Sequence, residues 1–255
     1  MKNIGKLVVL GAVLSASASF AFADTITLGS FGSTAGLYNP GTISVSNTEM
    51  VYAGSQTFAN DTTGCGPSVP YCLPAMGTLT PTGTFAVDLN PETTWNAALP
   101  TSTPNSSWVG INATAGPQNT VNPSYGYYEF TTTFTTTASN YSGMLSVLAD
   151  DTVEVILNGT TIIPFGVFGS DAHCADNVPN CSATDNVAIS AVNGLNTLTF
   201  IVEQAGLEGP GGSNNPSGVD FSATLAPTPE PSSLMLLGTG LIGAAGMMFR
   251  RRQTV

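Results

Sequence analysis

The chain has 255 residues, carries 16 acidic side chains against five basic ones, and has a net charge of −11. The basic residues are Lys2, Lys6, Arg250, Arg251 and Arg252, and every acidic residue lies between Lys6 and Arg250. This excludes nucleic acid as a partner, because phosphate binding needs cationic side chains, and excludes docking of the acidic stretch on anionic lipid.

In chain order, the first signal is Lys2 and Lys6, an apolar run from Leu7 to Phe20, and Ala21-Phe22-Ala23. A basic start, an apolar core and a small-x-small site make a secretory signal peptide. We expect residues 1–23 to be removed after Ala23, leaving a mature chain that begins at Asp24. An uncleaved anchor is the competing reading. Residues 24–226 then form an ectodomain large enough for a substantial core, with an irregular lead-in to about residue 90 and its best-defined strands over 125–225.

The four cysteines form two matching stretches, Cys65-Gly-Pro-Ser-Val-Pro-Tyr-Cys72 and Cys174-Ala-Asp-Asn-Val-Pro-Asn-Cys181. Export to an oxidising compartment makes disulfides the default, and four cysteines allow three connectivities. Each stretch is short, turn-rich and closed on itself, which favours Cys65–Cys72 and Cys174–Cys181. The spacing is not a zinc pattern.

Between the termini no long segment has helical periodicity; period-two alternation recurs, broken by Gly, Pro, Asn and Asp. Strands are expected at Thr25–Leu28, Thr42–Val45 and Thr84–Leu89, the last with Phe85, Val87 and Leu89 on one face. From Asn90 to Pro123 the chain is rich in Pro, Ser, Thr and Asn; Trp95 and Trp108 there should pack under loops. Tyr127–Thr135 alternates, with Tyr128, Phe130, Thr132 and Phe134 facing one way. Gly143–Ala149 is a further strand and Asp150-Asp151 the turn after it. Thr152–Leu157 follows, with Val153, Val155 and Leu157 inward. Asn158-Gly159 predicts a type I′ hairpin turn, and Thr160–Ile163 returns. Leu195–Glu203 should bury Leu198, Phe200 and Val202. Val219–Leu225 should bury Val219, Phe221, Ala223 and Leu225. Many short strands without crossover helices imply an all-β, antiparallel β-sandwich of jelly-roll type.

Candidate chemistry is sparse. Asp150 and Asp151 adjoin, with Glu154 close by, and hard cations favour clustered oxygens of this kind, so this pair is the calcium candidate. The competing reading is a plain turn, since Asp favours turns through its own side-chain hydrogen bonds. His173, the only histidine, sits beside Cys174 without a Gly-x-Ser-x-Gly nucleophile elbow anywhere, so no catalytic triad is assigned. Gly206–Gly218 has no lysine and no helix after it, so it is a long connection rather than a phosphate cradle. Trp95, Trp108, Tyr125, Tyr127 and Tyr128 are candidates for stacking on sugar rings or for core packing.

The last stretch has a fixed order: Pro227-Thr-Pro229-Glu230-Pro231, an uncharged apolar run from Leu234 to Phe249, then Arg250-Arg251-Arg252. The prolines forbid a helix before the run. The run is roughly 24 Å long as a helix, and flanking Ser232, Ser233 and snorkelling arginines extend it toward the ~30 Å hydrocarbon core. A transmembrane helix over 232–249 is expected, its arginines on the cytoplasmic side. An ordinary C-terminal anchor is the alternative.

This order resembles the PEP-CTERM sorting signal of Gram-negative bacteria. The resemblance implies recognition of Pro229-Glu230-Pro231 and the arginines by an exosortase, a membrane-embedded cysteine protease. It also implies a membrane-anchored precursor destined for the cell surface or extracellular matrix, in association with exopolysaccharide and biofilm. Over Trp95–Leu225, Leu145-Ser-Val-Leu-Ala-Asp-Asp-Thr-Val-Glu-Val-Ile-Leu-Asn-Gly159 and Gly194-Leu-Asn-Thr-Leu-Thr-Phe200 resemble galactose-binding-like jelly rolls. The Asp150-Asp151 turn followed by Asn158-Gly159 is also similar to the PA14 β-sandwich, where a paired Asp helps bind calcium and sugar. Here Asn158 stands where that family more usually has an aspartate. The expected function is a non-enzymatic exported surface or matrix protein. The alternatives are a carbohydrate-binding module, calcium-dependent or not, and a glycan-active hydrolase.

Overall fold

A strand with one face on a core needs apolar residues at every second position, and Thr152–Leu157 meets that need directly with Val153, Val155 and Leu157. The computed structural model describes residues 24–33, 38–59, 73–90, 95, 98–99, 105–116, 123–166, 185–205, 216–228 and 238–243. The strands are β1 (Ile26–Gly29), β2 (Val51–Thr57), β3 (Thr80–Phe85), β4 (Val87–Leu89), β5 (Trp108–Gly110), β6 (Gly126–Asp150), β7 (Thr152–Leu157), β8 (Thr160–Ile163), β9 (Asp185–Gln204) and β10 (Gly218–Pro227). They are joined in the order β4-β5-β10-β6-β9-β7-β8, with β1 on β10, β2 on β6, and β3 on β2. The result is an antiparallel β-sandwich within the compact unit Ile26–Leu225.

Two long strands build both layers. β6 and β9 run antiparallel from Gly126↔Gln204 to Val147↔Asp185, with a shift between Thr136 and Asn140. Before the shift Phe130, Phe134, Leu198 and Phe200 are buried; after it Tyr141, Leu145, Ile189 and Ala191 are. The buried parity therefore changes in both strands at once, as the ribbon leaves the layer it shares with β2 for the one it shares with β10. The irregularity frees backbone groups from the ladder, and such groups need partners when buried. Asn196, fully buried, supplies them: its Oδ1 accepts from Val192 N at 3.0 Å, and its Nδ2 donates to Val192 O at 2.9 Å and Gly194 O at 3.0 Å. Between the layers the rings of Phe200 and Phe221 stack at 4.6 Å, both at 0 % exposure. Burying each contributes about 1.5–3 kcal/mol.

The hairpin expected at Asn158-Gly159 is present, with positive φ at both residues (51° and 80°), the requirement of a type I′ turn. Asn158 also stitches it to β9, accepting from Thr197 N and donating to Asn196 Oδ1, each at 2.9 Å. Val153, Val155 and Leu157 point inward, as do Val219, Phe221, Ala223 and Leu225.

Three expectations are corrected. Thr42–Val45 is not a strand. Tyr127–Thr135 and Gly143–Ala149 are one strand, because the parity change at residues 137–139 reads in sequence as a turn. Thr84–Leu89 is broken at Ala86, and Phe85 is 57 % exposed whereas Leu89 is 2 % exposed. The cause is an exchange of partners: Phe85 pairs with Val51 of β2, while Val87–Leu89 pair with β5. Ala86 bridges the exchange by donating to Met50 O at 2.9 Å and accepting from Ser33 N at 2.7 Å.

The remaining unit comprises Met1–Thr25 and Ala226–Val255. Within it residues 238–243 are helical. Among the described residues no helix is long and apolar enough to cross a membrane. The expected signal peptide, and residues 232–237 and 244–249 of the expected transmembrane helix, lie outside the described residues.

Candidate functional site

Strand β6 ends at Asp150 and β7 begins at Thr152, so Asp150-Asp151 forms the junction, joined by a cis peptide bond. Both side chains are buried, at 4 % and 1 % exposure. They reach far along the chain. Asp150 Oδ2 accepts from Trp95 Nε1 at 2.7 Å, and Asp151 Oδ2 from Ala205 N at 2.8 Å. Ser217 Oγ donates to the Asp150 carbonyl at 3.1 Å. Ala205 lies just before the Gly206–Gly218 stretch expected to be a long connection and Ser217 near its end, so the aspartate pair fixes the chain at both ends of it. This goes beyond a turn that bonds only to itself.

The electrostatics follow from the missing cations. Burial pushes the Asp150 carboxyl above the usual aspartate range, an effect only partly opposed by hydrogen bonds from Asp151 and Trp95. Neighbouring Glu203, whose carbonyl accepts from Asp151 N at 3.3 Å, is pushed by burial up to about 7. Among the described residues no three His, Cys, Asp or Glu side chains converge as a metal-binding group. The pair fits a hard cation in kind, offering only oxygens, but supplies two carboxylates toward the six to eight ligands calcium takes. Glu154 is half-buried and turned elsewhere, its Oε1 accepting from Thr161 Oγ1 at 2.9 Å.

The aromatic candidates are core. Trp95 and Trp108 stack on each other at 4.2 Å, packed with Leu89, Leu99, Ala115 and Leu148. Tyr125, Tyr127 and Tyr128 are all under 9 % exposed, and Tyr127 donates its hydroxyl to Pro74 O at 3.0 Å. None of the five offers an open ring face to a sugar. The residues Ala21, Ala23, Cys65, Cys72, His173, Cys174, Cys181, Pro229, Glu230, Pro231, Arg250, Arg251 and Arg252 lie outside the described residues.

Sequence reasoning missed a second buried acidic group, Asp88 at 3 % and Asp220 at 0 % exposure. Alternation assigned both to outward faces. The available signal was compositional: with no Lys or Arg nearby in sequence, a carboxylate flanked by Val219 and Phe221 has only hydroxyls and amides to meet it.

Residues 227–252 match the PEP-CTERM protein-sorting motif. The chain thus carries the signal of an exosortase substrate, an exported, membrane-anchored precursor of Gram-negative bacteria. No curated protein matches the chain. Among solved structures it is similar to a family 35 carbohydrate binding module from Clostridium thermocellum, at 16 % identity over 42 % of this chain and 84 % of that one, with a TM-score of 0.21. A family 35 module from an environmental isolate is similar at 15 % identity over 49 % of this chain and 91 % of that one, with a TM-score of 0.23. The β-glucosidase of Kluyveromyces marxianus is similar at 13 % identity over 52 % of this chain, with a TM-score of 0.26; the match spans 13 % of that enzyme. TM-scores this low carry no argument about ligand.

Proposed function

We propose that this chain is a non-enzymatic surface or extracellular-matrix protein, released to its site by an exosortase and associated there with exopolysaccharide. The match of residues 227–252 to the sorting motif carries this reading. The long acidic stretch without Lys or Arg supports it, since such a segment stays solvated after release. Replacing Pro229, Glu230 and Pro231 by alanine tests it in cells. The substituted chain should accumulate in the inner membrane while the parent chain leaves it; equal release of both would oppose the reading.

A second reading is a calcium-dependent carbohydrate-binding module. The observation that favours it is the buried Asp150-Asp151 pair, set without a cationic side chain and fixing the chain at both ends of the Gly-rich stretch. Those two carboxylates would hold the ion, which when bound would supply positive charge to the site. A ligand that binds only the native state stabilises it by about 2.7 kcal/mol at 100 times Kd, or roughly 5–10 °C for a domain of this size. Millimolar calcium should therefore raise the melting temperature beyond sodium at matched ionic strength. Asp150→Asn with Asp151→Asn should remove that difference. If both proteins respond alike to calcium, the pair is purely structural.

A further inference from the structure

Asp220 of β10 meets three other segments without a cation. Its Oδ1 lies 2.7 Å from Ser30 Oγ, just past the end of β1, and its Oδ2 accepts from Leu99 N at 2.8 Å. The Ser106 hydroxyl also bonds to it, and lies 2.7 Å from Leu99 O. Ser30 is the crossing point. Its N donates to Phe221 O at 3.0 Å and its O accepts from Ser107 N at 2.7 Å. Its Oγ accepts from Phe221 N at 3.0 Å and lies 2.7 Å from Ser107 O.

Counting protons decides what this cluster prefers. A hydroxyl has one proton to give and two lone pairs. When Asp220 is ionised, its Oδ1 and the Ser107 carbonyl compete for the single Ser30 proton, and the Phe221 N–H that also bonds to the acid is shared with Ser30 Oγ. When Asp220 carries a proton, it donates to Ser30 Oγ, and Ser30 passes its own proton to Ser107 O. The competition at Ser30 is then removed, and a buried acceptor left unmet costs about 1–3 kcal/mol.

We propose that Asp220, Ser30 and Ser107 form a proton-operated clamp, which holds the end of β1 and the 105–107 segment on β10 when Asp220 is protonated and slackens when it ionises. The other titratable groups facing the cluster are Tyr38 and Asp88, with Glu49 beyond Asp88. None of them carries a positive charge that would hold Asp220 ionised. Burial, opposed by the hydrogen bonds, pushes the Asp220 carboxyl from 3.8 up to about 6. A carboxyl whose folded value is raised binds its proton more tightly in the native state. Its contribution is thus largest below the unfolded value of about 4 and is lost as pH rises through about 6.

The test is thermal unfolding of the full chain in detergent at a series of pH values between 4.5 and 8. Asp220→Asn puts a permanent donor where the protonated acid stands. It should match the parent at pH 5 and exceed it by about 2–4 °C at pH 7.5, the equivalent of about 1 kcal/mol in a domain of this size. Ser30→Ala removes both the acceptor of the acid's proton and the link to the Ser107 carbonyl, so it should lower the melting temperature more at pH 5 than at pH 7.5 and flatten the profile. Asp220→Asn melting below the parent at pH 7.5 would overturn the clamp. Should that variant fail to fold, the Ser30→Ala profile decides alone: a loss larger at pH 5 than at pH 7.5 sustains the proposal, and a loss equal at both or larger at pH 7.5 overturns it.

Discussion

Trypsin is expected to leave residues 7–250 as one fragment, even in denaturant with all cysteines reduced. Trypsin cleaves after Lys and Arg, and the chain has these only at Lys2, Lys6, Arg250, Arg251 and Arg252. Resistance here owes nothing to folding, which sets it apart from ordinary protection of loops in a native state. A Glu-specific protease should cut the same unfolded chain after Glu49, Glu92, Glu129, Glu154, Glu203 and Glu208, sparing Glu230 because Pro231 follows it. Mass spectrometry of the two digests reads the outcome directly. A tryptic fragment ending inside residues 7–249 would contradict it.

The second large effect concerns the contact of β6 with β10. A Cβ placed on Gly143 would overlap the Thr224 carbonyl oxygen and come within 2.8 Å of Thr224 C and 3.0 Å of Leu225 Cα. All three are backbone atoms. They cannot withdraw without breaking the pairing of Thr224 with Thr27 and of Leu225 with Ile26. Overpacking usually costs about 1–3 kcal/mol, and with only backbone to yield Gly143→Ala belongs at the upper end. That is a fall of about 6–12 °C in melting temperature for a domain of this size. Met144, the next residue, is 51 % exposed, so Met144→Ala should stay within about 0.5 kcal/mol of the parent. Equal, small effects at the two positions would mean that the strands do not approach as described.

What the sequence made legible was local. Asn158-Gly159 specifies its own turn, and the apolar alternation of Val153, Val155 and Leu157 needs no knowledge of partners. The errors sit where a strand changes neighbours. Phe85 and Leu89 share a parity, yet one lies at an exposed edge beside β2 and the other in the core beside β5, because Ala86 hands the chain between them. The switch of face in β6 and β9 is likewise invisible to a period-two reading, since it depends on which layer each half joins. Asp220 was misassigned for the same reason: β10 is covered on both faces, with Asp220 and Ser222 buried beside Val219 and Phe221. Asp150-Asp151 stood out in the sequence as a turn or a calcium candidate, but its bonds to Trp95 and Ala205 span 55 and 54 residues and follow only from the fold.

The sorting signal at residues 227–252 is the centre of the functional account, and the intact mass of the protein recovered outside the cell tests it most directly. The account predicts a species that begins at Asp24, ends near Pro229-Glu230-Pro231, and has lost the apolar run and the arginines, with any added mass belonging to what the processing step attached. A fully matured surface protein that still carried Arg250, Arg251 and Arg252 would contradict it, and would make the tail a simple membrane anchor.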